Sequence, residues 1–329
     1  MSSLLVLGGT SWVGGQIARD AIARGHDVTC LARGESGDAP DGATFVPADR
    51  AAPRAYDEVS DRHWDLVIDL SRQPGQVRSA IQALGSTATH WTLISTGSVY
   101  ADQSGPLTED SRLLDPLDGD VAGPEQYGEG KVACEQAVRQ LHRHLIVRAG
   151  LIGGPGDRSD RFGYYAARFA LAGDEPVLVP AVADQPMQVV DVRDLSRWIA
   201  ASAEGGATGT VHGVGEPTTV GALVALSAEV AGFTGDQLVA SESWLREHGV
   251  EEWMGPRSLP LWLPSSHHGM GMMDDARALA YGLERRPLVD TISATLDDER
   301  ARGLDRERKA GLSRSDELAL IEELRDQAP

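Results

Sequence analysis

Residues 4–7 (LLVL) form an unbroken apolar run that ends at Gly8-Gly9, and beyond it Val13, Ile17, Ala18 and Ile22 recur on one helical face. Such a run predicts a parallel strand covered on both faces. The alternation continues down the chain. Strands are expected at 26–32 (HDVTCLA), 44–46, 64–70 (WDLVIDL), 90–95 (HWTLIS) and 144–148 (HLIVR). Helical spacing fills 11–24, 53–60, 74–84 and a long stretch at 124–142. Strands alternating with helices of this length predict βαβ units with right-handed crossovers, hence an α/β, doubly wound parallel sheet.

Beyond residue 150 the rhythm weakens. Helices are expected at 161–172, 192–203, 219–231, 274–281 and 287–301, with strands at 187–191 and 210–214. Residues 101–120 read as a long surface loop, and 253–273, rich in Trp, Pro, Met and His, as a loop or lid. A charged amphipathic helix at 312–325 would dock on the body or on a partner. The organisation expected is a nucleotide-type domain at 1–150 and a smaller, partly interleaved substrate domain at 151–329.

Composition narrows the class. The 329 residues are 41% hydrophobic and 24% charged, ordinary for a globular protein with a full core. A net charge of −19 argues against nucleic acid and against anionic membrane surfaces. The two cysteines, Cys30 and Cys134, sit in apolar settings, so neither a disulfide framework nor a zinc site is expected. No apolar run has signal or membrane-span length, and a cytoplasmic location is the expectation.

The candidate chemistry lies at strand ends, where ligands sit on such a sheet. Gly8-x-x-Ser11-x-x-Gly14 joins a strand to a helix, an arrangement that lets backbone approach a pyrophosphate at a helix N-terminus. The second strand ends in Ala32-Arg33 rather than in an acid; a guanidinium there pairs with a 2′-phosphate, which points to NADP(H) over NAD(H). Asp49 is placed to meet the adenine. Tyr127 and Lys131 share one helix face at i and i+4. A phenol works as an acid–base group near neutrality only beside a charge such as an ammonium, and Thr96 can hold a substrate oxygen. Lysine is rare here: only Lys131 and Lys309 among 30 basic residues. Its use at 131 suits a compact ammonium that arginine cannot replace. Arginines and tyrosines at 158–165 follow a glycine turn. Arg158, Arg161 and Tyr165, with Ser98 and Gln188, are substrate candidates, against the plainer reading of a salt-bridged helix start.

With these residues in hand, the chain resembles the extended short-chain dehydrogenase/reductase superfamily, the NAD-dependent epimerase/dehydratase family. The resemblance is carried by GGTSWVG (8–14), LARG (31–34), STGSVY (95–100), YGEGK (127–131), VRAGLIGGP (147–155), QVVDVRDL (188–195) and the stretch 276–296. It implies a Rossmann-type fold, Thr96, Tyr127 and Lys131 as catalytic residues, and a homodimer paired through long helices. It also implies a cofactor-binding set of Gly8, Thr10, Ser11, Trp12, Val13, Gly14, Arg33, Asp49, Asp69, Leu70, Ser71, Lys131 and Ala149. Three departures modify it. Ser11 replaces a glycine, as in the atypical branch. Gly97-Ser98 replace the acidic pair of sugar dehydratases. Leu151 stands where nucleotide-sugar enzymes carry asparagine, which resembles the carbonyl-reducing branch.

The reading that follows is an NADP(H)-dependent oxidoreductase acting on a carbonyl or alcohol of a small polar molecule, with Tyr127 as acid/base and no metal. Its rivals are an NAD(P)-dependent epimerase of a sugar or sugar-like substrate and a non-catalytic nucleotide-sensing protein.

Overall fold

The computed structural model describes residues 1–202 and 204–327. The strands, in chain order, begin with β1 (Ser3–Leu7), β2 (Asp27–Ala32), β3 (Thr44–Pro47), β4 (Trp64–Asp69), β5 (Ala88–Thr96) and β6 (His144–Ala149). They continue with β7 (Leu151–Gly153), β8 (Val177–Pro180), β9 (Pro186–Asp191), β10 (Gly209–Gly213), β11 (Pro217–Thr219) and β12 (Gln237–Ala240). Seven of them form one sheet in the order β10-β6-β5-β4-β1-β2-β3, every pairing parallel. The chain order reverses at β1, so the crevice for a ligand opens where β1 and β4 end.

The main helices are α1 (Trp12–Ala23), α2 (Asp57–Ser60), α3 (Pro74–Leu84), α4 (Tyr127–Val138), α5 (Tyr164–Ala172), α6 (Val192–Ser202) and α7 (Val220–Ala231). Helices α1 and α6 cover one face of the sheet and α2, α3 and α4 the other. Leu4 and Val6 point into a core shared with Ile17 and Ala18 of α1 and with Leu195 and Ile199 of α6. Leu5 and Leu7 point the other way, onto Val77, Ala80 and Leu84 of α3 and Cys134 and Val138 of α4. Both faces of β1 are covered, the physical reason its sequence is unbroken apolar rather than alternating.

The later chain re-enters this frame. Strand β10 supplies an edge of the large sheet and α6 packs beside α1, so residues beyond 150 complete the nucleotide-type layer. The rest builds a separate core of α5, α7, β8, α8 (Glu242–Glu247), α10 (Leu288–Arg302) and α11 (Arg314–Asp326), whereas α9 (Ala276–Ala280) packs Ala278 into the core of α1 and α6. The charged C-terminal helix α11 docks on this body through Leu320 and Ile321, both 1% exposed.

Two expected helices are shortened. The helix expected at 124–142 is a 3₁₀ turn, Pro124–Gln126, followed by α4, which ends at Val138. The helix at 53–60 shrinks to 57–60. Residues 253–273, expected as a loop or lid, are largely irregular; a 3₁₀ segment, Ser265–Gly271, lies against β9 and the 101–107 loop, with Gly269 N–H bonded to Gln103 O at 2.7 Å. The helix expected at 192–203 is found over Val192–Ser202; Ala203 lies outside the described residues. No helix among the described residues is long and apolar enough to cross a membrane.

Candidate functional site

The glycine turn closes on itself. Gly8 takes φ +101°, a conformation open to glycine, and an added Cβ at Gly14 would lie 2.3 Å from the Gly8 carbonyl oxygen. Ser11 is the N-cap of α1: its Oγ donates to Gly8 O at 2.8 Å and accepts from Gly14 N–H at 3.2 Å. Serine at this place does structural work that a glycine could not. No acidic residue occupies the first turn of α1, so its positive end remains free for an anion. The Trp12 side chain donates from Nε1 to Pro155 O at 2.9 Å, tying this turn to the segment after β7.

Beside the turn is a pocket of about 190 Å³ lined by Gly8, Thr10, Ser11, Arg33, Asp49, Leu70 and Ser71, together with Arg50 and Gln76. Most of the expected cofactor residues therefore converge on one cavity from β1, β2, β3 and β4. Val13 is half-buried beside the first core, and Ala149 pairs in register with Thr96 at the neighbouring strand ends. Arg33 is exposed and ion-paired to Glu35 at 2.9 Å. Asp49 is exposed and accepts from Ala51 N–H at 3.0 Å.

Helix α4, which carries Tyr127 and Lys131, docks close against the end of β5, the strand that ends in Thr96. Thr96 starts the 3₁₀ turn Gly97–Val99 and accepts from Ser98 N–H at 3.2 Å; its hydroxyl donates to Ser98 Oγ at 3.2 Å. An added Cβ at Gly128, next to Tyr127, would lie 2.4 Å from Ser98 O, and one at Gly130 would lie 2.6 Å from Ala122 Cβ. The two glycines of YGEGK are what permit the contact. Tyr127 is half-buried as the first residue of α4. Lys131 is 3% exposed, and its Nζ donates to Ser71 O at 2.8 Å and Ile94 O at 2.5 Å. The ammonium is thus fixed by carbonyls from the segment after β4 and from β5, one helical turn below the phenol.

Three expected site residues are corrected. The Asp69 carboxylate does not face the pocket: it is fully buried and holds Arg50 bidentately at 2.7 and 2.8 Å. Tyr165 is fully buried in the C-terminal core, where burial pushes its phenol well above its ordinary value. Gln188 is 1% exposed, and its amide is engaged by Met273 N–H, Met273 O and Gly215 O, a clamp on the 272–273 segment. Arg158 points to solvent, whereas Arg161 is half-buried.

Two features were missed. Arg50 forms the wall between the 190 Å³ pocket and a larger cleft of about 810 Å³ against α3, and donates to Tyr56, Asp69 and Gln76 O. Behind α4, Glu135 accepts from Arg148 at 2.8 and 3.0 Å and from Ser95 at 2.6 Å. Arg148 passes on to the hydroxyl of Tyr100, which contacts His212. His212 Nδ1 donates to Asp274 O at 2.7 Å, so its Nε2 accepts from Tyr100. The one sequence signal was an acid at 135 on the same helix face as Lys131. The cysteines are buried and free; burial pushes the Cys30 thiol up to about 11 and that of Cys134 to about 12. No cluster of metal-ligating side chains occurs among the described residues.

Comparison with known proteins agrees with this architecture. No curated protein matches the sequence. Several solved structures match over nearly their whole length. The UDP-glucuronic acid 4-epimerase of Bacillus cereus in complex with NAD is 16% identical, with a TM-score of 0.65 over 91% of this chain and 99% of that one. The UDP-N-acetylglucosamine 4-epimerase of Methanobrevibacter ruminantium is 15% identical, with a TM-score of 0.68 over 92% and 99%. The UDP-glucose 4-epimerase of Thermotoga maritima is 17% identical, with a TM-score of 0.64 over 91% and 99%. At such identities the likeness shows the fold. A model of the NAD dependent epimerase/dehydratase family matches residues 4–215, a span that contains the glycine turn, the strand ends and the Tyr127–Lys131 helix. The chain belongs to the NAD dependent epimerase/dehydratase family.

Proposed function

We propose that this protein moves hydride between a nicotinamide cofactor and a carbinol or carbonyl carbon, with Tyr127 as the acid/base. The observation that carries the reading is the Lys131 ammonium, held by two backbone carbonyls on the helix one turn from Tyr127, one of them from Ile94 of the strand that ends in Thr96. The residues present fit the cofactor: the Gly8–Gly14 turn lacks the space a Cβ would need, and α1 presents an uncompensated N-terminus. A bound nicotinamide would supply the hydride donor or acceptor. The chain supplies the rest. Tyr127 gives or takes the hydroxyl proton, Lys131 stabilises the phenolate by charge, and Thr96 and Ser98 orient the oxygen.

For the cofactor we favour NADP(H). Arg33 lines the 190 Å³ pocket and its partner Glu35 is solvent-exposed. An exposed pair holds by no more than about 1 kcal/mol, so a 2′-phosphate can displace Glu35.

Two net reactions use this machinery. Epimerisation of a sugar-like substrate, hydride leaving and returning to the same carbon, is favoured by the solved neighbours, three of which are nucleotide-sugar 4-epimerases. Net reduction is favoured by Arg33, since NADPH is the usual consumed reductant, and by Leu151. Elimination of water is disfavoured: the side of Gly97 that a residue would occupy is filled by Met270 and Met273 sulfurs within about 3 Å of a Cβ there. Purified protein separates the two. An epimerase carries tightly bound nucleotide and turns over without added NADPH; a reductase consumes NADPH one-for-one. A Tyr127→Phe variant with unchanged turnover would remove the proposal altogether.

A further inference from the structure

Arginine serves almost every positive charge in this chain, which makes the arginines comparable with one another. Arg50, Arg139, Arg148, Arg168, Arg193 and Arg257 are buried or half-buried, and each has a carboxylate within salt-bridge distance. The same is true of Arg285, Arg286, Arg302, Arg306, Arg308 and Arg314. Arg161 is the exception among the described residues: it is half-buried with no carboxylate within 4.0 Å. Its Nε donates only to Ser159 Oγ, at 3.2 Å.

Its surroundings hold it ready rather than neutralise it. The guanidinium carbon lies 4.7 Å from the centroid of the Trp253 ring, a cation–π stack that fixes the plane and leaves the N–H edge free. Trp253 and the preceding neighbour Asp160 both take left-handed φ, +66° and +62°, a conformation that costs non-glycine residues free energy and gathers at ligand sites. Asp160 is turned away, its carboxylate accepting from Arg302 at 3.0 Å and from Lys309 N–H at 2.9 Å. Asp157 is bound to Ser159 at 2.7 and 2.9 Å. Burial pulls the Arg161 guanidinium below its ordinary value, opposed by the charges of Asp157 and Tyr127. The segment is tethered to the cofactor turn by the Trp12–Pro155 hydrogen bond.

We infer that Arg161, stacked on Trp253, is a specificity residue that pairs with a carboxylate of the substrate. A monoanion is the match: one guanidinium with Asp157 close by suits a single negative charge better than a phosphate dianion. The inference deepens the hydride-transfer reading and rests on it for the carboxylate being the substrate's; the anion site itself does not.

The test uses the full chain and two readouts. Arginine Nε–Hε NMR signals are followed during titration with sodium acetate, sodium phosphate and, at matched ionic strength, sodium chloride. Arg161→Gln assigns the signal by its loss. Acetate is expected to shift that signal saturably, with a Kd on the order of tens of millimolar, below the concentration phosphate needs. A response no larger than that to chloride overturns the site. Tighter binding of phosphate overturns the carboxylate assignment. In turnover, a keto acid is compared with its methyl ester. Arg161→Gln should raise KM for the acid about 30-fold or more with little change in kcat, leave the ester unchanged, and be partly rescued by Arg161→Lys. Equal loss on acid and ester overturns the inference. If acetate binds Arg161 while Tyr127→Phe retains turnover, the hydride-transfer reading fails and the anion site stands.

Discussion

The Nζ of Lys131 donates to the carbonyl oxygen of Ser71 at 2.8 Å, a bond that fastens helix α4 to the segment leaving β4. With the second bond to Ile94 O, it makes the lysine a strut of the fold as well as the charge beneath Tyr127. Lys131→Arg should therefore fail on both counts. A planar guanidinium does not fit between two carbonyls set for an ammonium, and activity should fall at least about 100-fold with a lowered melting temperature. Retention of kcat in that variant, measured on any substrate found, would refute the geometry.

Gly128→Ala tests the close approach of α4. On propensity alone the exchange gains about 1 kcal/mol in a helix. Here the new Cβ would meet Ser98 O at 2.4 Å and Leu114 Cδ1 at 2.5 Å, so the helix must move away. A net loss of about 1–3 kcal/mol is expected, with kcat falling more than cofactor affinity, because the shift moves Tyr127 away from the end of β5. Calorimetric melting alongside cofactor titration reads both.

The buried pair Arg50–Asp69 should be costly to halve. Asp69→Asn leaves the Arg50 guanidinium buried without its counter-charge, and about 3–5 kcal/mol of stability should be lost. The double variant Arg50→Met, Asp69→Leu should recover part of it. Additive losses in the denaturation cycle would show that the pair is not the source.

Acid should weaken the protein through Glu135. Burial pushes its carboxyl up, but Arg148, Ser95 and Arg139 outweigh that and hold it below the ordinary 4.5. A group whose folded value is lowered stabilises above its unfolded value and loses that contribution as pH falls through the folded one. Stability should thus decline below about pH 4.5. Glu135→Gln should flatten that acid limb while lowering stability at neutral pH. An unchanged slope of unfolding free energy against pH would remove Glu135 from the account.

The cofactor preference has its own test. Arg33→Asp should weaken NADPH binding far more than NADH binding, and Glu35→Gln should strengthen NADPH binding modestly, most visibly at low salt. Equal effects on both nucleotides in fluorescence titrations would take the argument away from Arg33.

Much of this was legible in the chain itself. The apolar run at 4–7 forced a strand covered on both faces, the Gly8–Gly14 turn forced its junction with a helix, and the four-residue spacing of Tyr127 and Lys131 put both on one face. These are local properties: periodicity, steric freedom and helical pitch act within a few residues. What only the tertiary structure decided was which polar groups are already satisfied. Asp69, Tyr165 and Gln188 read in sequence as site residues; the fold assigns Asp69 to Arg50, Tyr165 to the core and Gln188 to the backbone of Met273. Arg161 stands in the opposite case, since a half-buried charge with no carboxylate beside it among the described residues is visible only in the folded chain. A side chain's chemistry is written at its own position, but its availability depends on neighbours 19 to 149 residues away in sequence, which only the folded chain brings within hydrogen-bonding distance.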